Sequence, residues 1–290
     1  MMNRDEQADQ LAQTAERALL YEVTVNPKPG LVDPVSAGPH PDMNVFTFID
    51  SATSLRPYFY QCAQVGLAVV EPVNWQAVFE QIRALGIIAE QTMFTATKQV
   101  NTHKGAVFSL GVLVTATAAQ LAVGYKYSSE QVFAITKQML AGLSKRDFDR
   151  LKQRNPQQLT AGERQFLKYG KLGIRGEAEA GFPTVATLAL PFLRQQTGSV
   201  MDRLLNVLIK IAGETDDSNL IKRAGNPEIT TWMHEQSEQF FQLGGAQAPA
   251  GRAALVKLNQ AMFDQHLSLG GSADLLILTI FCGLQEGLFE

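Results

Sequence analysis

Residues 48–59 read FIDSATSLRPYF, and the spacing of their apolar side chains decides the fold class. Phe48, Ala52, Leu55 and Phe59 fall at i, i+4, i+7 and i+11, which gathers all four on one face of an α-helix. Val78, Ile82, Leu85 and Ala89 repeat the pattern, as do Val132, Ile135, Met139 and Leu143. Further helices are predicted over 11–25, 104–122, 184–197, 200–213, 228–243, 250–264 and 272–288. Gly124, Gly198 and Gly225-Asn226-Pro227 supply sensible stops. Period-2 alternation is scarce, and the β-rich runs that a parallel α/β fold needs between its helices are absent. The class is all-α. No internal repeat, low-complexity tract or flexible linker interrupts the chain, so 1–290 reads as one compact multi-helix domain.

Composition bounds the function. The 290 residues are 46% hydrophobic and 18% charged, enough to bury a large core. A net charge of −3 argues against a nucleic-acid binder that works by overall basicity. The polar start MMNRDEQADQ has no apolar signal core, and the longest apolar stretch, around Leu275–Cys282, is too short to span a bilayer. A soluble, cytoplasmic protein without a membrane partner is expected. Cys62 and Cys282 lie in apolar contexts without CxxC spacing and read as buried free thiols.

Two regions break the helical rhythm. Residues 26–44 hold five of the twelve prolines, and Pro29-Gly30 suits a type II turn. So long an irregular loop inside a compact fold is more often functional than decorative. Residues 144–181 set nine Lys/Arg against five Asp/Glu in a chain that is acidic overall. Part of that segment reads as a solvated connector, and Thr160-Ala-Gly-Glu163 has the spacing of a capping box that restarts a helix.

Five polar clusters stand out against the apolar helices. They are Lys28, Asp33, His40 and Asp42; Asn101, His103 and Lys104; Arg175 and Glu177; Asp216, Asp217, Asn219 and Arg223; and Gly270-Gly271-Ser272 with Asp274. Singly, each has a structural explanation. Asn101 or Thr102 caps a helix from Lys104, Ser272 caps the last helix, and Arg175 with Glu177 is a surface pair. Together they describe an anion site. Two helix starts offer backbone N–H groups suited to phosphate, and Lys104 adds a charge. Asp216, Asn219 and Arg223 at i, i+3 and i+7 share a helix face, with Asp217 turned about 100° away. Such carboxylates and amides suit a hydrated Mg²⁺ held partly by substrate phosphates. No Walker A loop or GxGxxG is present, and His40 and His103 lack zinc spacing. Met43, Met93 and the phenylalanines read as core filling, and His234 and His266 as structural residues within helices. The residues alone therefore support an all-α enzyme that handles a phosphorylated substrate with a divalent metal.

The ordered motifs PKPGLVD (27–33), HPDM (40–43), NTHKGAVFSLG (101–111), GIRGEAEAGFP (173–183), DDSNLIKRAG (216–225) and GGSADLL (270–276) carry the reading further. The chain resembles the triphosphoribosyl-dephospho-CoA synthase family, which serves citrate lyase and malonate decarboxylase. It departs from the family pattern at Ser36-Ala37-Gly38, Pro39, Ala224 and Leu269, none of them a charged motif position. The resemblance implies transfer of the 5-triphosphoribosyl group of ATP to the 2′-hydroxyl of 3′-dephospho-CoA, with release of adenine. The product is the precursor of a prosthetic group later attached to an acyl carrier protein. In that frame Asp216 and Asn219, with Asp217, Asp274 and Glu177 as further donors, are expected at Mg²⁺ and the triphosphate. Lys28, Lys104, Arg175 and Arg223 are expected at phosphates, beside the Asn101, Gly271 and Ser272 helix starts. Asp33 or Asp42 is expected to be the base or to stabilise the oxocarbenium, while His40 or His103 hydrogen-bonds adenine or a phosphate. The basic 144–171 segment steers the CoA pyrophosphate or acts as a lid. Two other readings are an adenine-releasing nucleotide hydrolase and a non-catalytic adaptor that docks an acyl carrier protein.

Overall fold

A computed structural model describes residues 3–124, 126–148, 159, 166–168, 170 and 172–289. The expected capping box at 160–163 and most of the basic 144–171 segment lie outside them. Among the described residues the chain forms thirteen α-helices and no strand. They are α1 (Arg4–Thr24), α2 (Val45–Leu67), α3 (Trp75–Ala96), α4 (Lys104–Ala122), α5 (Ser129–Met139), α6 (Leu143–Phe148) and α7 (Gly173–Glu179). A π-turn (Thr184–Ala189) leads into α8 (Leu190–Gln195). Then follow α9 (Val200–Glu214), α10 (Ser218–Ala224), α11 (Ile229–Gln242), α12 (Pro249–Asp264) and α13 (Gly270–Gln285).

Two helices are apolar all round, and such helices can only be satisfied inside a protein. They are α4 and α13, and they run through the main core. α4 packs on α1, α2, α3, α5 and α13, while α13 also meets α8, α9 and α10. The longest apolar stretch is therefore α4, not the 275–282 segment. By length and hydropathy α4 is the one helix among the described residues able to cross a membrane, yet most of it is buried here. Its small residues let α2 approach closely. A Cβ at Gly66 would meet the Thr115 carbonyl, and one at Gly111 would meet the Tyr58 hydroxyl, which donates to the Val107 carbonyl at 3.0 Å. Cys62 and Cys282 are free and buried, as expected.

The 26–44 loop is irregular throughout, and the expected turn is present, with Leu31 N–H donating to the Lys28 carbonyl and Gly30 at φ +67°. The 144–181 region differs from the expectation because it contains α6 and α7. Gly173, Gly176 and Gly181 obscure α7 in the sequence. It is held by tertiary packing of the buried Ala178 and by contacts with α4, α5 and α6. His234 lies in α11, but His266 follows α12 and sits in the left-handed region at φ 54°.

Candidate functional site

The N-termini of the two buried helices meet. At Gly105, in the first turn of α4, any Cβ would collide with the carboxylate of Asp274 in α13. Only a glycine lets that carboxyl lie against the start of α4. A cavity of about 320 Å³ opens at this junction. Four of the five polar clusters contribute to its walls, through Lys28, His40 and Asp42, then Asn101 and His103, then Asn219 and Arg223, then Gly270 and Asp274. Glu22, His103 and Lys28 are buried at its floor, whereas Asp42, Asn101, Lys222 and Arg223 are exposed at its mouth.

The floor is electrically unusual. Lys28 Nζ donates to Glu22 Oε1 at 2.5 Å and to the Glu22 carbonyl at 2.9 Å, a buried pair that joins α1 to the irregular loop. Breaking such a pair from one side strands a charge. Asp274 touches the cavity but makes no hydrogen bond to a described residue. Burial, reinforced by the Asp217 and Glu22 charges, pushes its carboxyl up to about 8. It is therefore largely protonated at neutral pH. Burial, reinforced by the Lys28 charge, pushes the His103 imidazole down to about 3, so that ring is neutral. At the mouth, Arg223 Nη2 donates to His40 Nδ1 at 3.3 Å, while His40 Nε2 lies 3.3 Å from the Gly30 carbonyl and 3.2 Å from Ser268 Oγ. Nδ1 thus accepts and Nε2 carries the hydrogen. Burial and the Arg223 charge hold the His40 pKa below its ordinary value.

Other expected site residues have different work. Asp33 is a loop organiser. Its carboxylate accepts from Asn26 Nδ2 and from the backbone N–H groups of Lys28, Val35 and Ser36 at 2.8–3.1 Å. Asp216 precedes α10 instead of lying on it, so it shares no helix face with Asn219 and Arg223. Asp217 is the N-cap of α10, and its two oxygens are filled. Oδ1 accepts from the N–H groups of Asn219 (2.8 Å), Leu220 (3.1 Å) and Gly271 (3.3 Å). Oδ2 accepts from Ser272 N–H (2.7 Å) and Ser272 Oγ (2.8 Å). The N–H groups of Gly271 and Ser272, expected to be open to phosphate, are therefore already taken. Ser272 does not cap α13, whose capping position is Leu269. Likewise neither Asn101 nor Thr102 caps α4; His103 occupies that position without a side-chain bond to the helix start.

Lys104 turns away from the cavity and pairs with Glu90 of α3 at 2.8 Å. Arg175 lies 3.6 Å from Asp147, and Glu177 accepts from Thr184 Oγ1 at 2.8 Å; neither lines the cavity. The reverse also occurs. Glu22, Phe48, Lys222 and Ser268 line the cavity without having been singled out, and Met43 lines it instead of filling the core. Glu22 carried a signal, because it continues the buried stripe Ala15, Ala18 and Leu19, where a carboxylate must have a partner.

Comparison with known proteins identifies the family. Residues 8–290 match the family model CitG, described as ATP:dephospho-CoA triphosphoribosyl transferase. A probable 2-(5''-triphosphoribosyl)-3'-dephosphocoenzyme-A synthase of Lactiplantibacillus plantarum is 59% identical over 94% of this chain and 96% of its own. A protein of the same name from Streptococcus equi subsp. zooepidemicus is 40% identical over 96% of this chain and 97% of its own. Protein CitXG of Leuconostoc mesenteroides subsp. cremoris is 50% identical over 94% of this chain, which spans 58% of that protein. No solved structure matches. The motifs that converge on the α4–α13 junction are thus those of a chain that belongs to the CitG family, the ATP:dephospho-CoA triphosphoribosyl transferases.

Proposed function

We propose that the cavity at the α4–α13 junction is where ATP surrenders its triphosphoribosyl group to 3′-dephospho-CoA and adenine is released. The observation that carries this reading is convergence. Residues from α1, the 26–44 loop, the α4 start, α10 and the α13 start, far apart in the chain, line one cavity with Lys222, Arg223 and Asp42 at its mouth and the Lys28–Glu22 pair beside the neutral His103 at its floor.

Lys222 and Arg223 at the mouth meet the triphosphate, with His40 orienting the Arg223 guanidinium. Asp42, exposed at the mouth, takes the proton of the acceptor hydroxyl as its oxygen bonds to C1 of the ribose. The bond from C1 to the adenine nitrogen breaks, and its electron pair leaves with the base. Asp274, held protonated by its surroundings, supplies the balancing proton to adenine. Positive charge that develops on the sugar lies near the carboxylates of Glu22 and Asp42.

Among the described residues no group of three His, Cys, Asp or Glu side chains is placed to hold a metal ion. The cavity therefore fits Mg²⁺ as an ion that arrives on the triphosphate, with Asn219 as a single protein oxygen donor. When bound, the ion neutralises phosphate charge. The product would pass to an acyl carrier protein, and the reaction belongs in the cytoplasm, where both substrates occur.

The test is chromatography of free adenine after incubation of the protein with ATP and Mg²⁺, with and without 3′-dephospho-CoA. Adenine formed only with the acceptor, together with a heavier CoA product, is the expected result. Adenine formed regardless of acceptor makes the chain a hydrolase. No adenine under either condition removes the reading.

A further inference from the structure

His103 is buried, and its two ring nitrogens are in opposite situations. Nδ1 lies 2.7 Å from Ser51 Oγ, and Ser51 in turn accepts from the Thr102 hydroxyl at 2.7 Å. Nε2 is buried with no hydrogen-bond partner, although His103 lines the cavity. A buried polar atom without a partner is costly unless a ligand completes it. The ring is also held in place, because Phe48 packs edge-on at 5.0 Å and the His103 backbone N–H points to Met93 Sδ at 3.3 Å.

The hydroxyl chain fixes the tautomer. Ser51 has one hydrogen to give and receives one from Thr102, so its own hydrogen goes to the remaining neighbour, Nδ1. Nδ1 is then an acceptor, and the imidazole hydrogen sits on Nε2. We propose that Ser51 and Thr102 lock His103 as the Nε2–H tautomer, and that this hydrogen is donated to a ring nitrogen of adenine, N3 or N7, as the base leaves. The inference rests on the function proposed above and extends it to residues 51 and 102.

A purine fits this donor better than a phosphate does. The donor is uncharged, lies among buried groups and is flanked by Phe48, while the full positive charges of Lys222 and Arg223 stand at the mouth. When the bond to C1 breaks, its electron pair spreads over the ring nitrogens of the base. The hydrogen bond from Nε2 strengthens as that charge develops, and the proton stays on His103. An interaction stronger in the transition state than in the ground state accelerates the step. Ser51 and Thr102 are positioning residues.

The experiment has two parts. First, histidine ¹⁵N spectra of the full chain, assigned with His103→Gln, should show His103 Nε2 protonated and Nδ1 bare; the opposite tautomer overturns the proposal. Second, ATP, 3-deaza-ATP and 7-deaza-ATP are compared in the wild type and His103→Leu. Loss of one such donor should lower kcat about 10²-fold. One analogue should show a comparable penalty in the wild type that disappears in His103→Leu. His103→Gln, which keeps an N–H near the same place, should recover part of the rate. Ser51→Ala should lower kcat for ATP with KM unchanged, and these two variants serve if His103→Leu does not fold. Penalties that multiply on both analogues, or a raised KM for ATP at constant kcat, overturn the role of His103 while leaving the transferase intact. A wild type that releases no adenine overturns both.

Discussion

Asp274→Asn removes a titrating carboxyl from the floor of the cavity without changing its shape, and the consequence should be visible in stability alone. The carboxyl titrates near 3.8 when unperturbed and is pushed up to about 8 in the folded protein. Between those values the folded state holds a proton that the unfolded state has released. Wild-type stability must therefore fall as pH rises from the unfolded value toward the folded one, and level off above it. At about 1.4 kcal/mol per unit, the ceiling near pH 7 is about 4 kcal/mol. Asp274 lines the open cavity and is only half-buried, so solvent screening reduces this, and about 2 kcal/mol is the working figure. The Asn variant lacks this cost. In urea unfolding with chelator present, the two proteins should be nearly equal near pH 4, and the variant should lead by about 2 kcal/mol near pH 7. That lead should stop growing above about pH 8, at unchanged m-value. Catalysis should fall in the same variant, since Asn has no proton to give. A difference that is constant across pH, or a wild type that gains on the variant as pH rises, would refute the argument, because it would mean the carboxylate is ionised and partnered.

Three further perturbations separate scaffold from site. Asp217→Ala strips the acceptor from four backbone N–H groups and one hydroxyl, and should cost about 3 kcal/mol in urea unfolding, with adenine release lost. Lys104→Ala should leave KM for ATP within about twofold, because its surface pair with Glu90 contributes little; a tenfold rise would place Lys104 at the phosphates after all. Gly105→Ala forces a methyl group into the Asp274 carboxylate and should cost about 1–3 kcal/mol by thermal or urea melts. It should also lower kcat, because the methyl group displaces the Asp274 carboxyl from the start of α4.

Much of the fold is legible because long amphipathic or apolar runs end at glycine. The predicted helix at 104–122 coincides with α4, whose uniform run of small and apolar residues stops at Gly124. α7 was hidden, because Gly173 and Gly176 weaken its local preference and only contacts from other helices restore it. The site was legible as a set of motifs but not as a division of labour. Asp33, Asp217 and Asp274 are the same residue type in the same kind of motif. The first two have their oxygens filled by backbone N–H groups, and the third has none to accept. Which fate each meets depends on partners up to 55 residues away, as in the bond from Ser272 to Asp217, and no local pattern encodes that. Glu22 is the opposite case, a charged residue whose place in a buried stripe marks it from sequence alone.

The carboxylate of Asp217 has one more consequence. It fastens the first turn of α10 to the first turn of α13, and these helices carry Arg223 and Asp274 respectively. A shift of the α10 backbone would break that fastening or drag the start of α13 along. Any such shift on filling the mouth would reach the surroundings of the Asp274 proton on the floor, and the coupling would be reciprocal.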